Sequence, residues 1–400
     1  MLMLHALRSR PVRRLWLGQV GSTVGDELYK LAFIWLAVDI LGSDTGFIAS
    51  LQYAVVIAIA LFGGHITDRM RNDQVMIRID LIRMLLCIIP VIPFLLGYPN
   101  FLALIIPTLS IVALGALFDP ALQGALPILA RDQKTLRAGN NLMGTTYRLA
   151  RVIGPSLISI LSVWFQPFYF FILNAISYVF SAVSVRSIKK EFEHASVMTE
   201  ETESFSWKQG FLLARKDKNL MGILWIKSVS AGFWAVGYTL GLVLLAKDVD
   251  PTGFNAYGWV MASYGVGNLS SALIFGNIER KRSEEWLYLG ITLIGVSFMA
   301  LYFCHSIASI GLFSAICAIG GPMNDTPFIE IVQDRFKVKD QVKIFRLKMV
   351  FENIFMLLFT VLSPFVFNQF GIRIGIAVCG LGCVLSVAIG LGLNQVPQKV

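Results

Sequence analysis

The chain alternates long apolar stretches with short polar intervals along almost its entire length. A helix that crosses a bilayer needs about 20 mainly apolar residues, so the pattern predicts about twelve membrane-spanning helices. The longest polar interval runs from Lys189 to Lys218 and divides these helices into two equal groups. The predicted spans are residues 14–41, 46–64, 75–97, 101–126, 142–164, 167–188, 219–246, 254–277, 286–304, 307–333, 346–370 and 372–394.

This spacing predicts an all-α polytopic membrane protein with two six-helix lobes, residues 1–188 and residues 219–400. A cytoplasmic linker at 189–218 should join them and contain a short interfacial helix from Trp207 to Arg215.

A weak internal similarity favours pseudo-symmetric lobes. Asp119-Pro120 in the first half and Asp325-Thr326-Pro327 in the second each look like a polar, proline-containing break in a span, and each precedes a basic loop. Such repeats are common in secondary transporters. Chance similarity between two hydrophobic helices is the alternative.

Composition excludes a set of soluble domains. The sequence is 56% hydrophobic and 15% charged, against about 25% charged residues in soluble proteins. Its 29 Phe and 8 Trp suit a lipid-facing surface with aromatic belts.

The net charge of +9 follows membrane topology rather than nucleic-acid binding. Basic residues occupy alternate loops, and the intervening loops contain only Lys247 and Arg373. Because positive residues favour the cytoplasmic side, both termini are predicted to be cytoplasmic. The membrane is expected to be a bacterial-type inner membrane. The basic clusters are Arg8, Arg10, Arg13 and Arg14; Arg69, Arg71 and Arg78; Arg131, Lys134 and Arg137; Arg186 to Lys218; Arg280, Lys281 and Arg282; and Arg335 to Lys348.

Signatures of enzymes and of metal sites are missing from the sequence. It has no glycine-rich phosphate loop ending in GKS or GKT, which argues against an ATP-driven pump. The cysteines all lie in apolar runs, and the histidines have no metal-binding spacing. We therefore expect no enzyme activity, no metal and no cofactor.

The polar loop after the second predicted span resembles a loop of major facilitator superfamily transporters. In that family a Gly is followed, after three residues, by Asp-Arg and further basic residues. Gly64, Asp68 and Arg69 match this pattern, whereas Asp73 and Gln74 replace two of the basic positions.

Other stretches resemble the macrolide-efflux and enterobactin-exporter branch of that superfamily. The resemblance implies the two-lobed major facilitator fold and a function in transport, but it does not identify the cargo. Gly154-Pro155 also resembles part of the motif of exporting members, although that motif's later glycines are missing. The stretches are Leu17-Gly18-Gln19 with Ser22, Gly25-Asp26, Ala32, Trp35 and Leu41-Gly42-Ser43; Phe118 to Pro127; and Gly321-Pro322, Gln333-Asp334-Arg335 and Phe345-Arg346-Leu347.

Polar residues inside the spans are the candidate cargo-binding groups. A charge at mid-bilayer costs about 3 kcal/mol or more, so it faces protein or water. In the first and seventh spans such residues recur at helical spacing and form two stripes. They would line a cavity between the lobes; alternatively, Asp26 and Lys30 neutralise each other while Lys227 snorkels to the cytoplasm. The stripes are Gln19, Ser22, Asp26 and Lys30, and Lys227, Ser230, Trp234 and Tyr238.

Further intramembrane charges predict a gate and a site for protons. Asp26 and Asp325 are the candidate proton carriers. Proton-coupled relatives often carry an Arg in the fourth span, where this chain has only Asp119. The predicted gate residues are Gly64, Asp68, Arg69, Asp80, Arg83, Arg148, Arg151, Gly154, Pro155 and Glu352.

Together these features predict a proton-coupled exporter of an amphipathic organic molecule, siderophore-like or drug-like, that works by alternating access. The lysines favour an anionic cargo as a hypothesis. We expect a monomer whose partners are this small molecule and the lipid bilayer, driven by a proton gradient. The alternatives are a facilitator that imports an anionic metabolite, a lysophospholipid translocator, and a receptor or enzyme that reuses the fold.

Overall fold

The computed structural model of the protein describes residues 6–62, 70–130, 132–195, 207–275 and 283–394, and all regular elements in these ranges are helical. The motif loop with Gly64, Asp68 and Arg69 lies outside them. The long helices, labelled α1 to α12, are Arg10–Leu41, Thr45–Phe62, Asn72–Ile88, Phe101–Leu129, Gln133–Leu161, Tyr169–Arg186, Lys218–Val249, Phe254–Phe275, Ser283–Ala300, Ile307–Arg335, Val338–Phe370 and Ile372–Asn394. Helix α7 contains a π turn at Gly237–Gly241.

The helices confirm an all-α polytopic membrane protein. Within the described residues, 8 stretches are long and apolar enough to cross a membrane. One stretch holds α1 and most of α2, while α3, α5 and α8 are shorter or less apolar. The stretches are Arg10–Ile59, Phe101–Leu129, Tyr169–Arg186, Lys218–Val249, Ser283–Phe303, Ile307–Arg335, Lys343–Phe370 and Ile372–Leu391.

Side-chain caps fix where several helices begin. Asn100 accepts a hydrogen bond from the Ala103 amide (3.1 Å) at the start of α4. Asp132 accepts from the Thr135 amide (2.7 Å) at the start of α5. Such caps satisfy amide groups that have no partner within the helix.

Three predicted spans differ from the observed helices in their ends. The span predicted at 75–97 is divided, because α3 ends at Ile88 and a short helix, Val91–Leu95, follows Pro90. Proline cannot donate the backbone hydrogen bond that would continue α3. Helices α5 and α11 begin at Gln133 and Val338, several residues before the predicted starts. Their first turns are polar, and the prediction followed the apolar residues alone.

The predicted breaks at Asp119-Pro120 and Asp325-Thr326-Pro327 are wrong. Helices α4 and α10 run continuously through these prolines. Membrane helices tolerate proline where neighbouring groups satisfy the freed carbonyl.

The chain divides into two compact units. Unit 1 comprises Met1–Ile40 and Val55–Thr202, and unit 2 comprises Leu41–Ala54 and Glu203–Val400. Residues 41–54, at the start of α2, thus belong to unit 2, whereas the sequence pattern placed them in the first lobe. Here Asp44 accepts a hydrogen bond from Asn368 of α11 (3.0 Å).

Unit 1 has an apolar core to which α1, α3, α4 and α5 contribute; Leu15, Met76 and Ala125, for example, are fully buried. Hydrogen bonds between polar side chains link its helices at different positions along α1. The Trp16 indole donates to Thr146 of α5 (2.8 Å). The hydroxyls of Tyr29 and Thr108 join α1 to α4 (2.7 Å).

In unit 2, glycines let α8 and α9 pack closely against α10. A Cβ on Gly290 of α9 would lie 2.8 Å from the Gly320 carbonyl oxygen of α10. A Cβ on Gly267 of α8 would overlap the Ala315 carbonyl of α10. Small residues at such contacts are typical of membrane helix pairs. A short helix, Trp207–Lys216, is also present and packs through Gly210 against the start of α11.

Candidate functional site

A buried lysine in unit 2 joins three helices. The Lys227 side chain on α7 is only 4% exposed, and its amine lies 2.6 Å from Asp325 Oδ1 of α10. It also donates a hydrogen bond to Asn324 and lies 3.9 Å from Glu352 Oε1 of α11. The amine therefore pairs inside the protein, and the snorkelling interpretation does not fit.

A second lysine completes this group. Lys348 Nζ on α11 lies 3.1 Å from Glu352 and 3.8 Å from Asp325. Both amines lie over the Phe328 ring, at 5.8 and 5.6 Å from its centroid. We call Lys227, Lys348, Asp325 and Glu352 the unit 2 quartet; its two positive and two negative charges balance. Asp325 is the exposed member, at 57%.

In unit 1 the corresponding polar cluster centres on Asp26 of α1. Its carboxylate accepts a hydrogen bond from the Tyr178 hydroxyl (2.5 Å) and a longer one from the Asn174 amide (3.4 Å), both on α6. Lys30, one turn further along α1, is exposed. Asp26 is thus held by α6.

Arg83 of α3 supplies the positive charge of this cluster. It is 5% exposed and interacts electrostatically with three carboxyl groups, those of Asp26, Asp80 and Asp119. Its guanidinium also lies over aromatic rings, 5.0 Å from the centroid of Phe118 and 5.4 Å from that of Tyr178. Asp80 is completely buried, whereas Asp119 on α4 is exposed. We call Asp26, Asp80, Arg83 and Asp119 the unit 1 cluster.

The two predicted stripes contact several neighbouring helices. Gln19 is 3% exposed and donates to Ser181 of α6 (3.1 Å). Ser230 is bonded to Ser386 of α12 (2.6 Å). Gln19 therefore joins α1 to α6 in this conformation, and its part in the cargo site stays a prediction.

Trp234 and Tyr238 form an aromatic group with Tyr264 of α8. Their rings stack with centroids 5.0 Å apart and an interplanar angle of 13°. The Trp234 indole donates to the Tyr264 hydroxyl (2.9 Å). Half-buried Trp234 offers a flat apolar surface with a polar edge.

The remaining predicted gate residues lie on α5. Arg148 and Arg151 are exposed, whereas Gly154 and Pro155 are buried. Gly154 faces α1, and a Cβ on it would lie 2.7 Å from the Cβ of Glu27. Its role in the structure is therefore the close packing of α5 against α1.

We expect Gly154→Val to lower the free energy of unfolding by about 1–3 kcal/mol through overpacking. Gly144→Val is the matched control on the same helix, since a Cβ there would meet nothing within 4 Å. Thermal unfolding in detergent compares them. Equal midpoints for both variants would contradict the packing role.

Sequence reasoning missed some members of both clusters. The sequence pattern places Lys348 only in a basic cluster. Its i,i+4 spacing to Glu352 could have predicted the ion pair between them. Asn324, Asn174 and Tyr178 have no sequence signal, because only the packing of α6 and α10 brings them to the charges.

One known protein family matches most of the chain. The model of a family described as transmembrane secretion effector matches residues 3–322. No curated protein matches significantly.

Solved transporter structures share the fold. A POT family transporter in complex with 5-aminolevulinic acid is 12% identical, with 96% of each chain covered and a TM-score of 0.71. A POT family transporter bound to a thioalcohol-conjugated peptide is 13% identical, with 96% of each chain covered and a TM-score of 0.73. A substituted POT peptide transporter is 12% identical, with 96% of this chain and 94% of its own covered and a TM-score of 0.74. At such identities the likeness establishes the fold alone.

Proposed function

The chain belongs to the transmembrane secretion effector family of the major facilitator superfamily, and from this we propose that it exports an amphipathic organic anion in exchange for protons. The protein is a multi-pass membrane transporter. The family description supports export. The branch that exports macrolides and enterobactin remains a prediction from the sequence.

The unit 2 quartet carries the proposal of an anionic cargo. Lys227 is almost fully buried, yet its closest carboxylate, Asp325, is 57% exposed. A carboxylate or catecholate of the cargo can take the place of the Asp325 carboxylate beside both amines. Buried charges require a partner in every state, so the lysines would accept an anion of this kind. Trp234 would pack against the apolar part of the cargo.

The same quartet favours a second candidate, co-transport of an anion with a proton. When a cargo anion displaces Asp325 from the lysines, this carboxylate loses its compensating charge and attracts a proton. Cargo and proton would then be bound together, as importing an anionic metabolite requires. Exchange instead requires that the proton be carried while the cargo site is empty.

Flux measurements decide between the two. Thermal stabilisation of the purified protein by a catecholate siderophore, a macrolide or a lysophospholipid first selects the cargo. Flux of that compound is then measured in proteoliposomes with a pH gradient imposed in each direction. The proposed exchange predicts cargo movement against the proton flow. Movement with the proton flow would establish co-transport, and indifference to the gradient would remove proton coupling.

We also propose a monomer in a bacterial-type inner membrane with both termini cytoplasmic. The alternation of basic loops along the sequence supports the orientation. Protease access to tags at either end of the chain, in intact cells and in inverted vesicles, tests the orientation. A tag cleaved in intact cells would contradict it.

A further inference from the structure

Helix α3 carries two fully buried aspartates with opposite surroundings. Asp73 and Asp80 are both 0% exposed. Asp73 is held by the Arg71 guanidinium, with Nε 3.1 Å from Oδ1 and Nη2 2.8 Å from Oδ2. Among the described residues, neither carboxyl oxygen of Asp80 has a hydrogen-bond partner. The Ser181 hydroxyl of α6 is the side-chain donor that faces Asp80.

The charges around Asp80 do not compensate an ionised carboxylate. It faces Asp26 from α1, Arg83 from its own helix and Ser181 from α6. Arg83 is shared, because it also faces Asp26 and, from α4, Asp119. If all three carboxyls were ionised, the unit 1 cluster would contain three negative charges and a single positive one. The unit 2 quartet, in contrast, is balanced.

The hydrogen bonds indicate which carboxyl is neutral. The two hydrogen bonds that Asp26 accepts from α6 favour its carboxylate form. Asp119 is exposed on α4 rather than enclosed by protein. Asp80 is enclosed, and neither of its carboxyl oxygens accepts such a hydrogen bond within the described residues. Burying a carboxylate without donors costs far more than burying the neutral acid.

We propose that Asp80 is the proton-binding residue of unit 1, protonated in this conformation and ionised when Arg83 turns toward it. On release, the O–H bond breaks and the proton passes to water, while the guanidinium compensates the new carboxylate. The inference rests on the proposed function in so far as this proton is the one exchanged.

Infrared spectroscopy tests the bound proton without reference to transport. The purified full-length protein in nanodiscs should show, at neutral pH, the carbonyl stretch of a protonated carboxylic acid. Asp80→Asn should remove this band, and Asp80→Glu should shift it. Asp73→Asn is the matched control and should leave it unchanged, because Asp73 is paired with the Arg71 guanidinium. A band that persists in Asp80→Asn, or that is absent from the unsubstituted protein, would overturn the assignment.

Folding of the variant is informative as well. Asparagine has the shape of a protonated aspartate, so Asp80→Asn should unfold at a temperature close to that of the unsubstituted protein. A large loss of thermal stability would show that Asp80 is needed as an anion and would contradict the proposal.

Transport separates this inference from the proposed function. With a catecholate siderophore as the probe, flux across proteoliposomes containing Asp80→Asn should lose the acceleration by a pH gradient that the unsubstituted protein shows. If the infrared band is present and flux ignores the gradient, the exchange function fails and the proton site stands. If flux follows the gradient in Asp80→Asn as in the unsubstituted protein, the coupling proton lies elsewhere.

Discussion

Lys227→Met is expected to lower the free energy of unfolding by about 1–3 kcal/mol, below the cost of about 3–5 kcal/mol for a fully buried ion pair, because Asp325 is 57% exposed. Methionine fills much the same volume, so packing changes little. The loss arises because Asp325 loses its closest cation and Glu352 keeps only Lys348. Chemical unfolding in mixed micelles measures the effect. Export of an anionic cargo should be abolished, because one of the two amines that receive its anion is gone.

The same substitution at Lys343 provides the control. Lys343 pairs with Asp340 at 3.2 Å, but both side chains are about a third exposed (31% and 32%). Such pairs contribute about 0–1 kcal/mol, so Lys343→Met should be nearly neutral. Adding Asp325→Asn to Lys227→Met should recover part of the lost stability, since it removes the uncompensated charge. Equal effects at Lys227 and Lys343 would show that the quartet is not a buried network.

Arg83→Met should lower the free energy of unfolding by about 3 kcal/mol. Arg83 is the cation that Asp26, Asp80 and Asp119 share, and methionine preserves only the packing against Phe118. Arg148→Met, on the exposed face of α5, should change stability by no more than about 0.5 kcal/mol. Unfolding midpoints of both variants provide the measurement.

Second-site changes then identify the ionised carboxyl. Asp26→Asn should restore part of the stability lost in Arg83→Met, because the donors of α6 favour the ionised form of Asp26. Asp80→Asn should restore little, because the proposal already makes this residue neutral. Rescue by Asp80→Asn and none by Asp26→Asn would reverse the assignment of the two acids.

The helices were predictable from the sequence because the membrane demands long apolar segments, and these stand out without any knowledge of packing. The residues at which the helices begin and end were harder to predict. The start of α5 depends on the cap formed by Asp132, and Gln133 to Asn141 are too polar to be counted as part of a span. The end of α3 at Ile88 is predictable from Pro90, because proline cannot donate the backbone hydrogen bond that would continue the helix.

Three of the four charged members of the unit 2 quartet were predictable from the sequence, but their pairing was not. Lys227, Asp325 and Glu352 were each identified because ionised groups are costly in a membrane. Their meeting point depends on how α7, α10 and α11 pack, which periodicity does not encode. Asp26 and Lys30 show the converse. Their spacing permits a pair, yet Asp26 is held by Tyr178 on another helix.

The contacts that Gly267 and Gly290 make with α10 limit how unit 2 can deform. Where main chain meets main chain, there are no side-chain rotamers whose rearrangement could let one helix slide past the next. Helices α8, α9 and α10 should therefore move together as a rigid group during a transport cycle. Asp325 lies on α10, so this movement would bring it closer to Lys227 or take it further away.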